Sequence, residues 1–411
     1  EIAQCLVGSE MCIRDRLITC SIMLKKVLFV SVFGLDGIES NSRLKSVYDF
    51  VSGDKLVVTT DFNHRLKKHF KSKRDGCIHL HVLPYKSNVS FMRILSHIMF
   101  AYKLWKYLNS IKERPDCIYC AMPTSTAAYV CGRFCKNNKI HFVIDVIDLW
   151  PDSFLSLLGY KRNFIKWFLY PWRLLTTQAY KFADVIIGES KEYAAVAHSF
   201  NTVAPVYSFY IGIDMDKITR QISNSQLLLD KCEDEIWIAY AGSMGVSYDF
   251  MTLIEGVAYL NNKYKYKLFF IGDGTERENV EKLIRKHNVN AYITGFVDYG
   301  DLLKYLSCCD IAVNIFRKNT RVVHSYKFND YVATKCFILN SLIGETADII
   351  SSYKIGLNFT FERDSFVMTL LKVVDNWEYY KYWRENNNRL IDEILDKKIV
   401  YEQLNEIFCK E

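Results

Sequence analysis

Between residues 240 and 345, short apolar runs each stop at a glycine or an acid and give way to a pattern of helical period. The stops are Tyr240-Ala-Gly242-Ser-Met-Gly245, Phe270-Ile-Gly272-Asp-Gly274, Thr294-Gly295, Asp310-Ile-Ala-Val-Asn314 and Lys327-Phe-Asn-Asp330-Tyr331. Strand, glycine turn and helix in that order predict a nucleotide-binding α/β domain. Its strands are expected at 237–241, 267–271, 291–294, 311–315 and 336–339, with a helix over 248–260. The same alternation runs earlier. Lys25-Lys-Val-Leu-Phe-Val-Ser-Val-Phe33 reads as a buried parallel strand opening into a loop with Gly34, Gly37 and Ser40. Further strands are predicted at 56–60, 79–83, 117–120, 142–145 and 184–188, with a helix over 90–109.

These elements give an α/β fold with two Rossmann-like, doubly wound domains facing across a cleft. Ligands are expected where the carboxyl ends of the two sheets meet. The polar stretch 213–235 separates the halves. The expected organisation is a leader at 1–22, a first Rossmann-like domain at 23–212, a linker at 213–235, a second, nucleotide-binding Rossmann-like domain at 236–375 and a helical tail at 376–411. The leader has neither a basic start nor a clean apolar core, so it is not a signal peptide. It resembles read-through of a sequencing adapter, and Met23 is the expected natural start. Without an export signal after Met23 the chain is expected in the cytoplasm.

With 411 residues, half of them hydrophobic, the chain can bury two cores. No uninterrupted apolar run reaches the ~18 residues of a membrane span. The net charge of +7 favours anionic partners without selecting nucleic acid, and no nucleic-acid partner is expected. Thirteen cysteines at irregular spacing in so long a chain read as free thiols rather than a disulfide framework. Cys117 and Cys120 sit three apart on a strand, facing opposite sides, so with Cys131 and Cys135 they do not make a zinc site. No metal is expected.

Two glycines at Gly242 and Gly245, between a strand and a helix, let a pyrophosphate approach backbone amides. A tight turn with no ligand explains them equally well. Lys327 and Asp330 are three apart and share a helix face. The cation suits a diphosphate and the carboxylate suits vicinal ribose hydroxyls, although a surface ion pair would look the same. Asp148, after a strand and before Trp150-Pro151, is either an orienting base near an acceptor hydroxyl or a helix cap.

The order of these pieces, with Ile338-Leu-Asn340-Ser-Leu-Ile-Gly344-Glu345 and Ile355-Gly356-Leu, resembles the carboxyl-terminal domain of GT-B glycosyltransferases of the family 4 type. Members that build capsular and O-antigen polysaccharides are the nearest in pattern, and Asp145-Val-Ile-Asp148-Leu-Trp-Pro-Asp152 resembles the Asp-Leu-Trp-Pro motif of the same group. The resemblance implies that Gly242, Ser243, Met244, Gly245 and Gly272 face a donor diphosphate. It places Lys327 on a phosphate, Asp330 on the ribose and Glu345 in the donor site. It also implies a retaining transfer without metal or cofactor, the leaving diphosphate assisting deprotonation. Val322 stands where the first motif glutamate falls, Ser243 near a usual arginine, and Thr334-Lys-Cys-Phe337 in place of Ala-Gly-Lys-Pro. Arg321, Lys327 or Arg43 would then supply the phosphate charge.

Segments 86–106 and 160–173 combine cations with aromatics. Either they are core helices with basic edges, or they rest on an anionic leaflet. Together these readings imply a glycosyltransferase, peripheral on the inner face of the membrane, that moves a sugar from a nucleotide-diphosphate sugar to a lipid-linked glycan acceptor. A GT-B nucleotide-sugar epimerase and a catalytically silent GT-B subunit that regulates a partner enzyme are the alternatives.

Overall fold

A computed structural model describes residues 26–33, 43–64, 66–69, 76–87, 90–153, 162–318, 320 and 322–408. The leader, the loop with Gly34, Gly37 and Ser40, and Arg321 lie outside them.

The first sheet contains β1 (Lys26–Val30), β2 (Asp54–Thr60), β5 (Cys77–Leu80), β6 (Cys117–Ala121), β7 (His141–Val146), β8 (Val185–Gly188) and β9 (Val206–Ser208). Their order is β5-β2-β1-β6-β7-β8-β9, all pairs parallel. Between β2 and β5 the chain forms a small antiparallel hairpin of β3 (Phe62–Asn63) and β4 (Lys68–His69). The second sheet is built from β10 (Ile236–Ala241), β11 (Tyr266–Ile271), β12 (Ala291–Gly295), β13 (Ile311–Asn314), β14 (Phe337–Asn340) and β15 (Gly356–Asn358). Its order is β12-β11-β10-β13-β14-β15, again parallel. In both sheets the order reverses beside the first strand, which opens a crevice at the carboxyl ends.

The continuous apolar runs are explained by burial on both faces. In β1, Leu28 and Val30 face one core while Val27 and Phe29 face the other. Residues three apart in β6 separate in the same way. Cys117 lies with Val27 and Phe29, whereas Cys120 lies on the opposite face with Cys131 and Cys135.

The chain crosses between the halves twice. Ile213 donates its amide to the Leu395 carbonyl at 2.6 Å and accepts from the Lys397 amide at 3.0 Å. Segment 213–235 contains the helix Met215–Asn224, whose Ile218 packs with Trp237 in the second half's core. After the second crossing the tail returns to the first half. Val400, Tyr401, Leu404, Ile407 and Phe408 join the core formed by Val27, Phe29 and Tyr119. The Phe408 ring lies 5.8 Å from Tyr119 and 6.2 Å from Phe29.

Under that tail lies an ion pair, Arg43 with Asp145, both side chains at most 1% exposed. The guanidinium bridges both carboxylate oxygens, at 2.7 and 2.9 Å, and also donates to the Phe209 carbonyl. Tyr119 donates its hydroxyl to Asp145. Arg43, offered from sequence as a phosphate ligand, is therefore committed to the first half's interior. Removing one member strands the other charge in a dry site. Asp145→Asn should cost about 3–5 kcal/mol, read as a lower denaturation midpoint for the folded protein.

Candidate functional site

The turn after β10 is fixed by close backbone approach. Gly242 has φ +118°, and a Cβ on Gly272 (φ +142°) would fall 2.1 Å from the Gly242 carbonyl oxygen, so only glycine fits at 272. Met244 is fully buried. Its amide donates to the Asp273 carbonyl at 2.9 Å and its carbonyl accepts from the Glu276 amide at 2.9 Å. Met244 thus locks the two glycine turns together and has no amide to offer a ligand. Ser243 is exposed, and its carbonyl accepts the Tyr240 hydroxyl at 2.7 Å. Gly245 donates to the Ser243 carbonyl at 3.1 Å.

Lys327 comes to this turn on the helix Tyr326–Ala333. Tyr331 secures the helix by accepting from the Ala241 amide at 3.0 Å and donating to the Val313 carbonyl. The Lys327 Nζ stands 3.8 Å from the centre of the Tyr248 ring and 4.1 Å from that of Tyr240. It is buried and has no hydrogen-bond partner among the described residues. A Cβ on Gly242 would sit 3.4 Å from it, so the glycine keeps the space before the ammonium open. Burial drives the Lys327 pKa well below its usual value, only partly opposed by Asp330. Asp330 accepts the Tyr299 hydroxyl at 2.6 Å, and burial raises its pKa to about 6 against the pull of Tyr299 and Lys327. The two share a helix face, yet among the described residues no ion pair joins them. A surface salt bridge is excluded by the burial of the lysine.

Beside them the ends of β13 and β14 carry a buried polar network. Asn314 donates to Asn340 at 2.8 Å and accepts from Ser325 at 3.2 Å, while Ser341 accepts the Phe316 amide at 2.9 Å. It holds the segments on either side of the lysine helix. Local pattern does not reveal such a network, because its members meet only through strand pairing.

Glu345 lies where the halves touch. Its carboxylate accepts the Lys191 and Glu192 amides at 3.1 and 2.6 Å and the Tyr210 hydroxyl at 2.8 Å. It caps the helix Lys191–His198 of the first half, as a carboxylate at a helix N-terminus does. Asp148 accepts from the Leu149 amide at 2.8 Å, the Trp150 indole at 2.7 Å and the Ser153 hydroxyl at 2.5 Å. All three bonds close its own turn, which favours the cap among its two readings.

In the first half, His97 and Glu189 escaped the sequence, and Arg93, read there as one of the cations of segment 86–106, is buried. The Arg93 guanidinium lies 4.3 Å from the Trp150 ring centre, and His97 stacks on the same indole at 5.8 Å. Burial, reinforced by Arg93, lowers His97 to about 3, so it is neutral at physiological pH. Glu189, directly after β8, is 4% exposed and its Oε2 has no hydrogen-bond partner among the described residues. Burial raises it to about 8.

Residues 229–390 match the family described as glycosyl transferases group 1. No curated protein matches the sequence. Among solved structures the chain is similar to sucrose-phosphate synthase from Thermosynechococcus elongatus, at 12% identity over 93% of this chain and 98% of that one, with a TM-score of 0.70. It is similar to Anabaena HepE in complex with UDP-glucose, at 13% identity over 93% and 98% of the two chains, TM-score 0.64. WaaG, a glycosyltransferase involved in lipopolysaccharide biosynthesis, matches at 14% identity over 94% and 100%, TM-score 0.61. The fold is GT-B. Within it the group 1 match covers β10 to β15, the half that holds Lys327 and Asp330.

The Glu189 carboxyl binds its proton more tightly folded than unfolded, so it lowers stability progressively as pH rises from about 4.5 to about 8. Glu189→Gln removes that loss. Its melting temperature should match the wild type's near pH 4 and exceed it increasingly towards pH 8, the stability gain growing by about 1.4 kcal/mol per pH unit between the unfolded and folded values.

Proposed function

We propose that this protein is a glycosyltransferase that moves a sugar from a nucleoside-diphosphate sugar to an acceptor presented at a membrane surface. The observation that carries the donor half is Lys327. A desolvated ammonium against ring faces, with no ion-pair or hydrogen-bond partner among the described residues, is under-compensated, and cation–π attraction of about 2 kcal/mol offsets only part of the desolvation. A diphosphate entering over Gly242 supplies that counter-charge. Asp330, ionised above about pH 6, is positioned on the same helix face to accept from the ribose diol. As the sugar–phosphate bond breaks, negative charge builds on the leaving diphosphate and its attraction to Lys327 strengthens, which favours the transition state over the ground state. We assign a retaining course in which the leaving phosphate takes the acceptor's proton. HepE was solved with UDP-glucose, which makes uridine diphosphate sugars the first donors to try.

The acceptor half rests on the helix Phe91–Ser110. Phe91, Ile94, Ile98, Tyr102 and Trp105 are 39–71% exposed and recur every three or four residues, forming one apolar stripe. Lys103 and Lys106 flank it. On the helix Arg162–Phe182, Trp167, Tyr170 and Leu174 repeat the pattern, and both helices pack on Ser125–Asn138. Apolar side chains edged by cations suit an anionic leaflet. No helix among the described residues is long and apolar enough to cross a membrane. A lipid-linked glycan acceptor, as in capsule or O-antigen assembly, fits such a surface.

Lys327→Ala should weaken binding of a uridine diphosphate sugar about tenfold or more, since a charged hydrogen bond contributes roughly 1.5–3 kcal/mol. Calorimetry on the folded variant checks it, and unchanged affinity would remove the lysine from the site. Wild-type affinity should weaken at alkaline pH, as the buried Lys327 ammonium gives up its proton more readily than an exposed one, and below about pH 6 it should fall towards tenfold per pH unit, as Asp330 protonates. In Asp330→Asn that slope should vanish. Turnover of the donor without acceptor, giving an epimerised sugar, would favour an epimerase instead.

For the surface, sedimentation with anionic vesicles should exceed that with neutral ones and fall as salt shortens the screening length to below about 8 Å. Trp105→Ser with Tyr102→Ser should reduce binding while leaving donor affinity unchanged. Equal binding to both vesicle types would count against the leaflet.

A further inference from the structure

Away from the donor cleft, Asp61, His69 and His81 converge at the edge of the first sheet, each offering a ligand atom within 4.8 Å of the others. Asp61 directly follows β2 and His81 directly follows β5, neighbouring parallel strands, so both emerge from the carboxyl edge. His69 is brought back to them by the β3–β4 hairpin. Their two imidazoles stack with ring centres 5.0 Å apart.

We propose that these three side chains form a binding site for a divalent cation of the zinc class, which pins the hairpin to the sheet. Two imidazoles and one carboxylate are a donor set that borderline divalent ions favour, with water completing a tetrahedron. Metal–ligand bonds of about 2.0–2.1 Å set donors on one ion roughly 3.3 Å apart. The Nδ1 of His69 stands 3.2 Å from Asp61 Oδ1, and the Nδ1 of His81 stands 2.7 Å from Asp61 Oδ2. The bond geometries differ. His81 is hydrogen-bonded to the carboxylate, whereas His69 Nδ1, itself buried, is close to it without making a hydrogen bond to any described residue. A nitrogen that nears a carboxylate without directing an N–H at it can share a third body with it. An ion seated between them would engage the His69 lone pair and displace the proton shared by His81 and Asp61.

The rest of the surroundings suits a metal. Asp61 Oδ1 accepts the Val82 amide at 3.1 Å, which fixes the carboxylate from behind as an outer-shell partner does. Entry is open, since the His81 side chain is 63% exposed while Asp61 and His69 are 24% and 32% exposed. The consequence lies one layer further in. Phe62 of β3 packs on His69 at 5.3 Å and on Tyr85 at 4.7 Å, and His64 meets the Tyr85 hydroxyl at 2.6 Å. Tyr85 in turn lies beneath Arg93, which lies over Trp150. A bound ion would therefore brace the hairpin beneath the aromatic wall on the acceptor side without touching the donor.

The test is a calorimetric titration of zinc chloride into full-length protein stripped with chelator, with melting temperature measured alongside. One tight equivalent and a zinc-dependent rise in melting temperature are expected. Asp61→Asn, His69→Gln and His81→Ala should each weaken that equivalent by roughly 100-fold or more, since even outer-shell partners contribute about 10- to 100-fold, and should abolish the rise. Wild-type protein with no tight equivalent, or variants that retain it, would overturn the site. Because the chain holds many cysteines, cobalt substitution is the second measurement. A tetrahedral visible spectrum lacking the thiolate charge-transfer band supports the triad, and a strong thiolate band overturns it. The cobalt spectrum is read on the wild type, so it decides even where a triad variant fails to fold.

Discussion

The pairing of Arg43 with Asp145 is the constraint around which the first half is arranged. Two opposite charges without water need every remaining donor and acceptor filled, and the chain fills them from four distant places. The helix Arg43–Phe50 brings the guanidinium, β7 the carboxylate, β6 the Tyr119 hydroxyl, and the segment after β9 the Phe209 carbonyl. Tyr401, fully buried, lies near enough to influence the charge of Arg43. Such a pair adds little net stability compared with a well-packed apolar core, but an incomplete set is costly. It therefore selects one arrangement of β6, β7, β9 and the returning tail. Asp148 and Trp150 follow β7 by a few residues, so the turn that carries them inherits its position from this interior.

In the second half, burial does different work. Among the described residues no carboxylate pairs with Lys327, and the aromatic rings beside it together with the attraction of Asp330 leave its charge under-compensated. The Glu345 carboxylate closes the same cleft from the side, joining a helix terminus of the first half to the second. The proposed donor contacts and the contacts between the halves thus sit on consecutive helices, and a ligand that drew Lys327 forward would act close to the tie that joins the halves.

What could be read from the sequence follows how local each cause is. Strands buried on both faces announce themselves as unbroken apolar runs, and glycine turns announce their ends, so β1, β6, β7, β8 and the strands β10 to β14 fall where the pattern put them. The hairpin strands Phe62–Asn63 and Lys68–His69 are two residues long and carry no period. The short β9 and β15 have the same difficulty. Lys327 and Asp330 are visible in the sequence as a pair on one helix face, whereas the burial that alters their acidity comes from tertiary packing, which sets the lysine against Tyr240 and Tyr248 and the acid against Tyr299. Glu189 carries no local signal in the sequence. Its lost solvent is a property of the fold around it. The triad of Asp61, His69 and His81 has no motif spacing, because two of its members are brought together by strand pairing.

The return of the tail has a consequence for how the protein is made. Phe408 and Tyr401 complete a core whose other walls, Val27, Phe29 and Tyr119, leave the ribosome early. A domain of this size would ordinarily close as soon as its own strands had emerged. Here the first half must wait with an uncovered apolar face until the whole second half has been synthesised, and contacts so distant along the chain form slowly. Chaperone dependence during synthesis should accordingly concentrate on the first half.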